Sequence, residues 1–273
     1  MTDPWARPQP QPGPPSPPPQ KGSALPAKLT KFFSDPLSII LTAVIVVALV
    51  LACLLGGELY ARNRADTVVA STVECVVQDK ATASFGVLPP FLMQHMSGHY
   101  TNIHIETAGN QVRDAKGMKL NLDIDDVRLQ DSANSSGTIG SLVATIDWSS
   151  DGIKQTIQGA IPLIGSFVSG VTTNAGEGTI ELEGPLGSIT AKPQVVDGSI
   201  SLAVQKVTGL GFTLPRESVQ PALDAFTSTL TQNYPLNIKA DSVSVTDSGV
   251  QSRLSTQNAT MPKQTDDPCF GKF

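Results

Sequence analysis

From Leu37 to Leu55 the chain carries no charge, and only the small polar residues Ser38 and Thr42 interrupt its apolar run. As a helix rising 1.5 Å per residue, that run spans roughly 28 Å, the thickness of a bilayer's hydrocarbon core. It is apolar on every side, whereas the core helix of a soluble domain usually keeps one polar face. A single membrane span is the reading that follows, and it divides the chain between two solvents. A cleaved signal peptide competes with it, but the charged leader of such a peptide is short, and here more than thirty residues come first. Cys53 follows Val50-Leu51-Ala52 much as in a lipoprotein cleavage box, yet Leu54 and Leu55 carry the apolar run past it.

These features predict three parts: a proline-rich tail over 1–35, a transmembrane helix over 36–60 and a domain over 61–273. Lys21, Lys28 and Lys31 precede the span while Arg62 and Arg64 follow it. The positive-inside rule then puts the N-terminus in the cytoplasm and exports the C-terminal domain to the periplasmic side of the cytoplasmic membrane. The tail holds ten prolines in its first twenty-six residues and almost nothing to bury, so no core is expected there. A solvated tail and a polyproline docking motif both fit that composition.

From Arg62 to the end, 15 basic residues face 21 acidic ones, without a basic cluster. That balance argues against nucleic acid and against coulombic attraction to anionic headgroups, so any lipid contact must be apolar. The length suffices for one sizeable or two small cores. Cys75 and Cys269 are the cysteines outside the span. In an oxidising compartment their placement predicts a disulfide clipping the last segment to the first helix of the domain, the alternative being two free buried thiols. By loop-closure entropy the bridge contributes up to about 4–5 kcal/mol.

Val68, Val69, Val73, Val76 and Val77 recur at near-helical spacing and predict a helix over about 62–81. Phe85-Gly86-Val87-Leu88-Pro89-Pro90 reads as strand and turn, and Phe91 to Met96 as a short helix closed by Gly98. Met118, Leu120, Leu122 and Ile124 alternate with polar residues, the period of a strand with one buried face. Val127 and Leu129 continue on the other parity, which predicts an inserted residue, a β-bulge, at Asp125-Asp126. Further alternating runs at Leu142 to Trp148, Ile180-Leu182, Ile200 to Val204 and Val243-Val245, separated by short turns, predict antiparallel pairing. Two helical patterns interrupt them. One runs from Ile153 to Val171, with a kink at Pro162. The other covers Ser218 to Thr231, with Ser218 as cap and Pro221 in the first turn.

Catalytic chemistry finds few candidates. His95 and His99 stand four apart, as helical zinc ligands would, but His-Met-Ser-Gly-His lacks the accompanying glutamate and contains a helix-weakening glycine, so no metal is expected. Alternation sends Asp123 and Asp125 to a solvated strand face rather than into a calcium loop. No nucleophile elbow, phosphate-binding loop or Cys-x-x-Cys is present in the sequence, and neither an enzyme nor a cofactor is expected. The segment Ala160 to Val168 is apolar nearly all round, more than one packed face requires; a core helix and a lipid-facing one both fit it.

The stretch from Phe85 to Tyr100 resembles the signature of the LmeA-type phospholipid-binding proteins of actinobacterial envelopes, a Pro-Phe-Leu-Thr-Gln phrase followed by Gly-x-Tyr, with Met93 here in place of the Thr. Leu214-Pro215, Leu236, Val243, Val245 and Gly249 resemble the family's closing helix and two final strands. The resemblance implies an α+β fold in which a curved antiparallel sheet wraps a long helix, akin to a lipid-binding half of bactericidal permeability-increasing protein (a TULIP-like half). It also implies phospholipid binding in the cell envelope and support of lipomannan elongation during lipoglycan synthesis. The implied partners are phospholipid, the membrane crossed by the span and envelope glycosyltransferases; the rival reading is an envelope scaffold without a lipid cavity. On that reading Phe91, Leu92 and Met96, and separately Ile161, Leu163, Ile164 and Phe167, are expected to form the mouth or lining. Leu223, Phe226 and Leu230 are expected to face the cavity or core.

Overall fold

The computed structural model describes residues 36–160, 168–231, 235–263 and 268–269, without the side chains of Leu230, Thr231 and Pro235. The predicted tail and the segment with Ile161, Leu163, Ile164 and Phe167 lie outside the described residues, as does the side chain of Leu230. Two compact units divide the chain, Met1–Leu55 and Gly56–Phe273.

The apolar run opens a helix of 42 residues, α1 (Pro36–Val77), whose N-terminal window is long and apolar enough to cross a membrane and has none of its residues buried. No break separates the predicted span from the predicted domain helix. Gln78 ends α1 in the left-handed region at φ 60°, four residues short of the expected end. The β-branched valines did not prevent a helix here, because Ala61, Ala65 and Val69 gain packing on the sheet below.

The second unit is built of antiparallel sheets. After α1 come β1 (Ala81–Phe85), the short helix α2 (Phe91–Ser97) and β2 (His99–Thr107). A small hairpin of β3 (Gln111–Val112) and β4 (Ala115–Lys116) leads to β5 (Met118–Leu129) and β6 (Ser135–Ser149). Helix α3 (Ser150–Ala160) precedes β7 (Gly170–Asn174), β8 (Thr179–Gly184), β9 (Gly187–Val196), β10 (Ser199–Gly209) and β11 (Phe212–Leu214). Helix α4 (Gln220–Thr231) then leads to β12 (Lys239–Thr246) and β13 (Gly249–Pro262). One sheet runs β1-β2-β5-β6-β13-β12, and the other β11-β10-β9-β8-β7.

The predicted change of face on β5 occurs, but not by insertion. Leu120, Leu122 and Ile124 reach the same apolar cluster as Val127, so the parity does switch. The register, however, is unchanged on both sides of the switch: Asp125 pairs with Asn102 and Ser141, and Val127 pairs with Tyr100 and Ile139. Neighbouring strands switch parity at the same level, Ile103 to Tyr100 on β2, Leu142 to Ile139 on β6 and Leu254 to Ala259 on β13. A single row of ladder positions, Thr101, Asp126, Gly140 and Asn258, is left unpaired across four strands. Asp126 at φ 53° and Asn258 at φ 50° adopt the left-handed conformation that Asp and Asn tolerate best among side-chain-bearing residues, and this reverses the pleat. Gly140 is required opposite, since a Cβ there would stand 2.7 Å from that of Asp126. A bulge adds a residue to one strand; here four strands turn over together.

Two further expectations are corrected. The helix expected to run from Ile153 to Val171 is described over Ser150–Ala160; the expected kink at Pro162 lies outside the described residues, and Val171 lies in β7. Ser218 does not cap α4: it belongs to a 3₁₀ turn (Arg216–Ser218) and its hydroxyl donates back to the Pro215 carbonyl at 2.6 Å. Gln220 secures α4 instead. Its side chain accepts from the Val204 N–H at 2.9 Å and donates to the Leu202 carbonyl at 2.8 Å, beside the point where β10 shifts register. The predicted Cys75–Cys269 disulfide is present, with Cα atoms 5.6 Å apart across 194 residues of sequence.

Candidate lipid-binding face

The second unit holds two apolar clusters. One, around α3, α4 and the sheet of β7 to β11, contains Ile153, Ile157, Leu182, Val204, Leu223 and Phe226, all buried. The other lies between α1, α2 and the first sheet and contains Phe85, Phe91, Tyr100, Leu142 and Leu254. Among the described residues the first has eleven buried members against six half-buried ones, and the second ten against thirteen. The second is therefore the less covered. Its half-buried members include Leu120, Leu122, Ile146, Val195, Ile200 and Ile238. All are aliphatic, and they come from the first sheet, the β9–β10 hairpin and the approach to β12. Such a surface offers an acyl chain dispersion contacts and shelter from water without asking it to satisfy a polar group.

One end of this cluster is held by a polar clamp. The Glu58 carboxylate accepts from the N–H groups of Phe91 and Leu92, the latter at 2.9 Å, and pairs with Arg62 at 3.2 Å. Arg62 donates in turn to the carbonyls of Phe85 and Gly86 at 3.3 and 3.1 Å. Gln94, only 1 % exposed, donates to the carbonyls of Gly86 and Pro89 at 3.0 and 2.6 Å and accepts from the Thr101 N–H at 3.0 Å. Three orphan ends, the start of α2, the turn after β1 and the start of β2, are thereby satisfied by three side chains. Gly98 closes α2 in the left-handed conformation at φ 65°, as its sequence position predicts.

The predicted site residues fall into different places. Phe91 is 4 % exposed and packs edge-on to Phe85 with ring centres 5.1 Å apart, inside the cluster rather than at its rim. Leu92 is half-buried and Met96 is 88 % exposed. Leu223 and Phe226 are buried in the other, better covered cluster, so the structure does not bring them to the same face as Phe91. Sequence reasoning took Leu120, Leu122 and Ile124 only for a packed strand face. Their signal was present: an alternating face made of nothing but aliphatic residues. Glu58 and Arg62, four apart just past the apolar run, were the readable sign of the clamp.

The polar groups beside the cluster engage one another. His95 Nδ1 meets the Tyr100 hydroxyl at 2.9 Å, while His99 Nε2 meets Asp126 at 2.6 Å, so the two histidines serve different partners. The Arg128 side chain, more than the His99 ring, holds the Asp126 carboxyl below the usual range against a smaller effect of burial. Asp66 goes the other way: burial raises it, and the Phe85 N–H at 3.1 Å with the Arg62 charge only partly offsets this. Burial raises Tyr100. Among the described residues no three His, Cys, Asp or Glu side chains gather as metal ligands would.

An aliphatic face and a clamped loop thus belong to one apolar cluster, and the polar groups beside them are hydrogen-bonded to one another. The profile of the LmeA family, described as LmeA-like phospholipid-binding, matches residues 54–255, and the chain belongs to that family. The uncharacterized protein Mb0489c of Mycobacterium bovis is 56 % identical over 237 residues, which cover 86 % of this chain and 68 % of that protein. The uncharacterized proteins MT0497 and Rv0479c of two Mycobacterium tuberculosis strains match with the same identity and coverage. No solved structure matches the chain.

Proposed function

We propose that this protein is a membrane-anchored phospholipid-binding protein of the cell envelope, with its N-terminus cytoplasmic and its sheet domain on the outer side of the cytoplasmic membrane. The acyl chains lie along the aliphatic face between α1 and the first sheet, which would act as the lipid-binding half of a TULIP-like fold. Leu92 and Met96 stand at its mouth and Phe91 forms its floor; Ile161, Leu163, Ile164 and Phe167, expected as mouth or lining too, lie outside the described residues. In the envelope it carries or presents lipid in support of lipomannan elongation, alongside the glycosyltransferases that perform it.

The observation that carries this reading is the excess of half-buried aliphatic side chains around the first sheet's cluster. Burying one acyl methylene is worth about 0.8 kcal/mol, and the bilayer offers the same gain, so a carrier works when its own surface is about as apolar as the membrane. A half-covered aliphatic face meets that condition better than a closed core. The rival, a scaffold with no lipid, is favoured by one observation: among the described residues two clefts are lined by Glu74, Gln78, Asp79 and Lys80 and by Arg64, Ser71, Cys75 and Cys269, and not by the aliphatic face. Extraction and mass spectrometry of lipid from the purified full chain decides between them. Phospholipid in fixed proportion to protein, retained when Leu37–Leu55 is exchanged for another apolar span, is expected; lipid that scales only with the detergent micelle leaves the scaffold.

A further inference from the structure

Between Lys80 and Glu106 the chain has no Asp, Glu, Lys or Arg, yet part of that stretch is among the most solvent-exposed of the second unit. Val87 and Leu88 are 71 % and 79 % exposed in the turn after β1, and Met93 and Met96 are 62 % and 88 % exposed on α2. These four large apolar side chains sit on one loop and the single helix that follows it. Isolated exposed apolar residues are ordinary, but a gathered uncharged group of them marks a surface with a partner.

The clamp identifies that partner. Glu58 holds the Phe91 and Leu92 N–H groups directly, and Arg62 holds the turn between Phe85 and Gly86. Glu58 is three residues after Leu55, the last residue of the apolar run. Three residues of chain, even fully extended, reach only about 10 Å. Whatever the disposition of the two units, the uncharged loop is therefore tied within about 10 Å of chain from the point where the apolar run ends. Leu59 and Tyr60, both exposed, stand between Glu58 and Arg62, and a tyrosine there suits the headgroup level of a bilayer, where its ring and hydroxyl find different solvents.

We infer that Val87, Leu88, Met93 and Met96 form a docking surface that inserts into the outer leaflet of the membrane crossed by α1. The inference rests on the spanning reading of Leu37–Leu55 and gives it a consequence: the domain is held by two contacts, one through the span and one through the loop. The contact is apolar and needs no anionic lipid, because the loop is uncharged. It also places the start of α2, and with it Phe91 of the aliphatic cluster, against the lipid that the cluster would take up. The turns of the second sheet expose Leu186, Leu210 and Phe212 as well, but Glu183, Lys206, Arg216 and Glu217 flank them in sequence and, among the described residues, no tie to the apolar run is seen there.

The test uses the full chain with Cys53→Ser and the disulfide intact, reconstituted in phosphatidylcholine vesicles carrying brominated acyl chains. An environment-sensitive fluorophore is placed in turn at Val87→Cys, Met96→Cys, Val46→Cys and Leu210→Cys. At least a twofold greater quenching at positions 87 and 96 than at 210, unchanged by salt, is expected. Quenching at 46 with none at 87 and 96 overturns the docking surface and spares the span. Quenching at 87 and 96 without 46 upholds docking and removes the span. Equal quenching at 210, or none at any position, overturns the inference.

Discussion

The two apolar clusters of the second unit are made of the same residue types and are closed to different degrees. Around α3, α4 and the second sheet, helices lie over the strands and most apolar members are buried. Around the first sheet, α1 and α2 leave more apolar side chains half-buried than buried. A core that only holds a fold together gains nothing from leaving aliphatic surface wet, since each square ångström of it costs about 25 cal/mol. On the proposed function the closed cluster is structural, and the open one is surface kept for a ligand of like polarity.

Substitutions break this comparison most sharply. Phe226→Ala, in the closed cluster, is expected to lower stability by about 3–5 kcal/mol in a denaturant titration while leaving bound lipid per folded molecule unchanged. Leu120→Ala and Ile146→Ala, on the open face, are expected to cost only about 1–2 kcal/mol, because their side chains are already partly in water, yet to reduce retained lipid severalfold. If Phe226→Ala released lipid while Leu120→Ala did not, the assignment of the two clusters would have to be exchanged.

A smaller effect comes from pH. Burial raises the Asp79 carboxyl, but the Asn110 side chain and the N–H groups of Asn110, Lys80 and Gln111 together hold it below the ordinary range. Its folded value lies below its unfolded one, so its contribution is fully present above about pH 4 and is lost as pH falls through the folded value. Asp79 is half-buried, and solvent screening keeps the effect under about 1 kcal/mol. Asp79→Asn should remove that part of the acid dependence, seen in denaturation midpoints between pH 5 and 2. It should leave lipid content alone, since Asp79 lies at the end of α1 away from the clamp.

Much of the fold was legible because it rests on periodicity. The alternation at Leu120 to Ile124 and at Leu142 to Trp148 marks strands, the Leu223-Phe226 spacing marks α4, and two lone cysteines outside the apolar run mark the disulfide. What was not legible depends on neighbours. The parity switch on β5 looks in one strand like an inserted residue; that Thr101, Gly140 and Asn258 lie in the same row appears only once the strands are paired. Strands β2 and β9 have mixed patterns, with Tyr100 on one parity and Ile103 and Ile105 on the other and Pro193 within β9, so period alone did not single them out. The candidate site was legible as a loop, Phe85 to Tyr100, but not as a surface. Whether Phe91 is rim or floor is decided by its contacts with Phe85 and Tyr100, and how far Leu120 is covered depends on where α1 lies over the sheet.

The central claim is that acyl chains lie on the open cluster, and a phospholipid with a photoreactive group at the end of one chain tests it directly on the full protein in vesicles. After irradiation and digestion, labelled peptides from β5, β6 and the β9–β10 hairpin, at Leu120, Leu122, Ile146 or Ile200, are the expected result. Label confined to Leu37–Leu55, or found instead at Leu223 and Phe226, would contradict it.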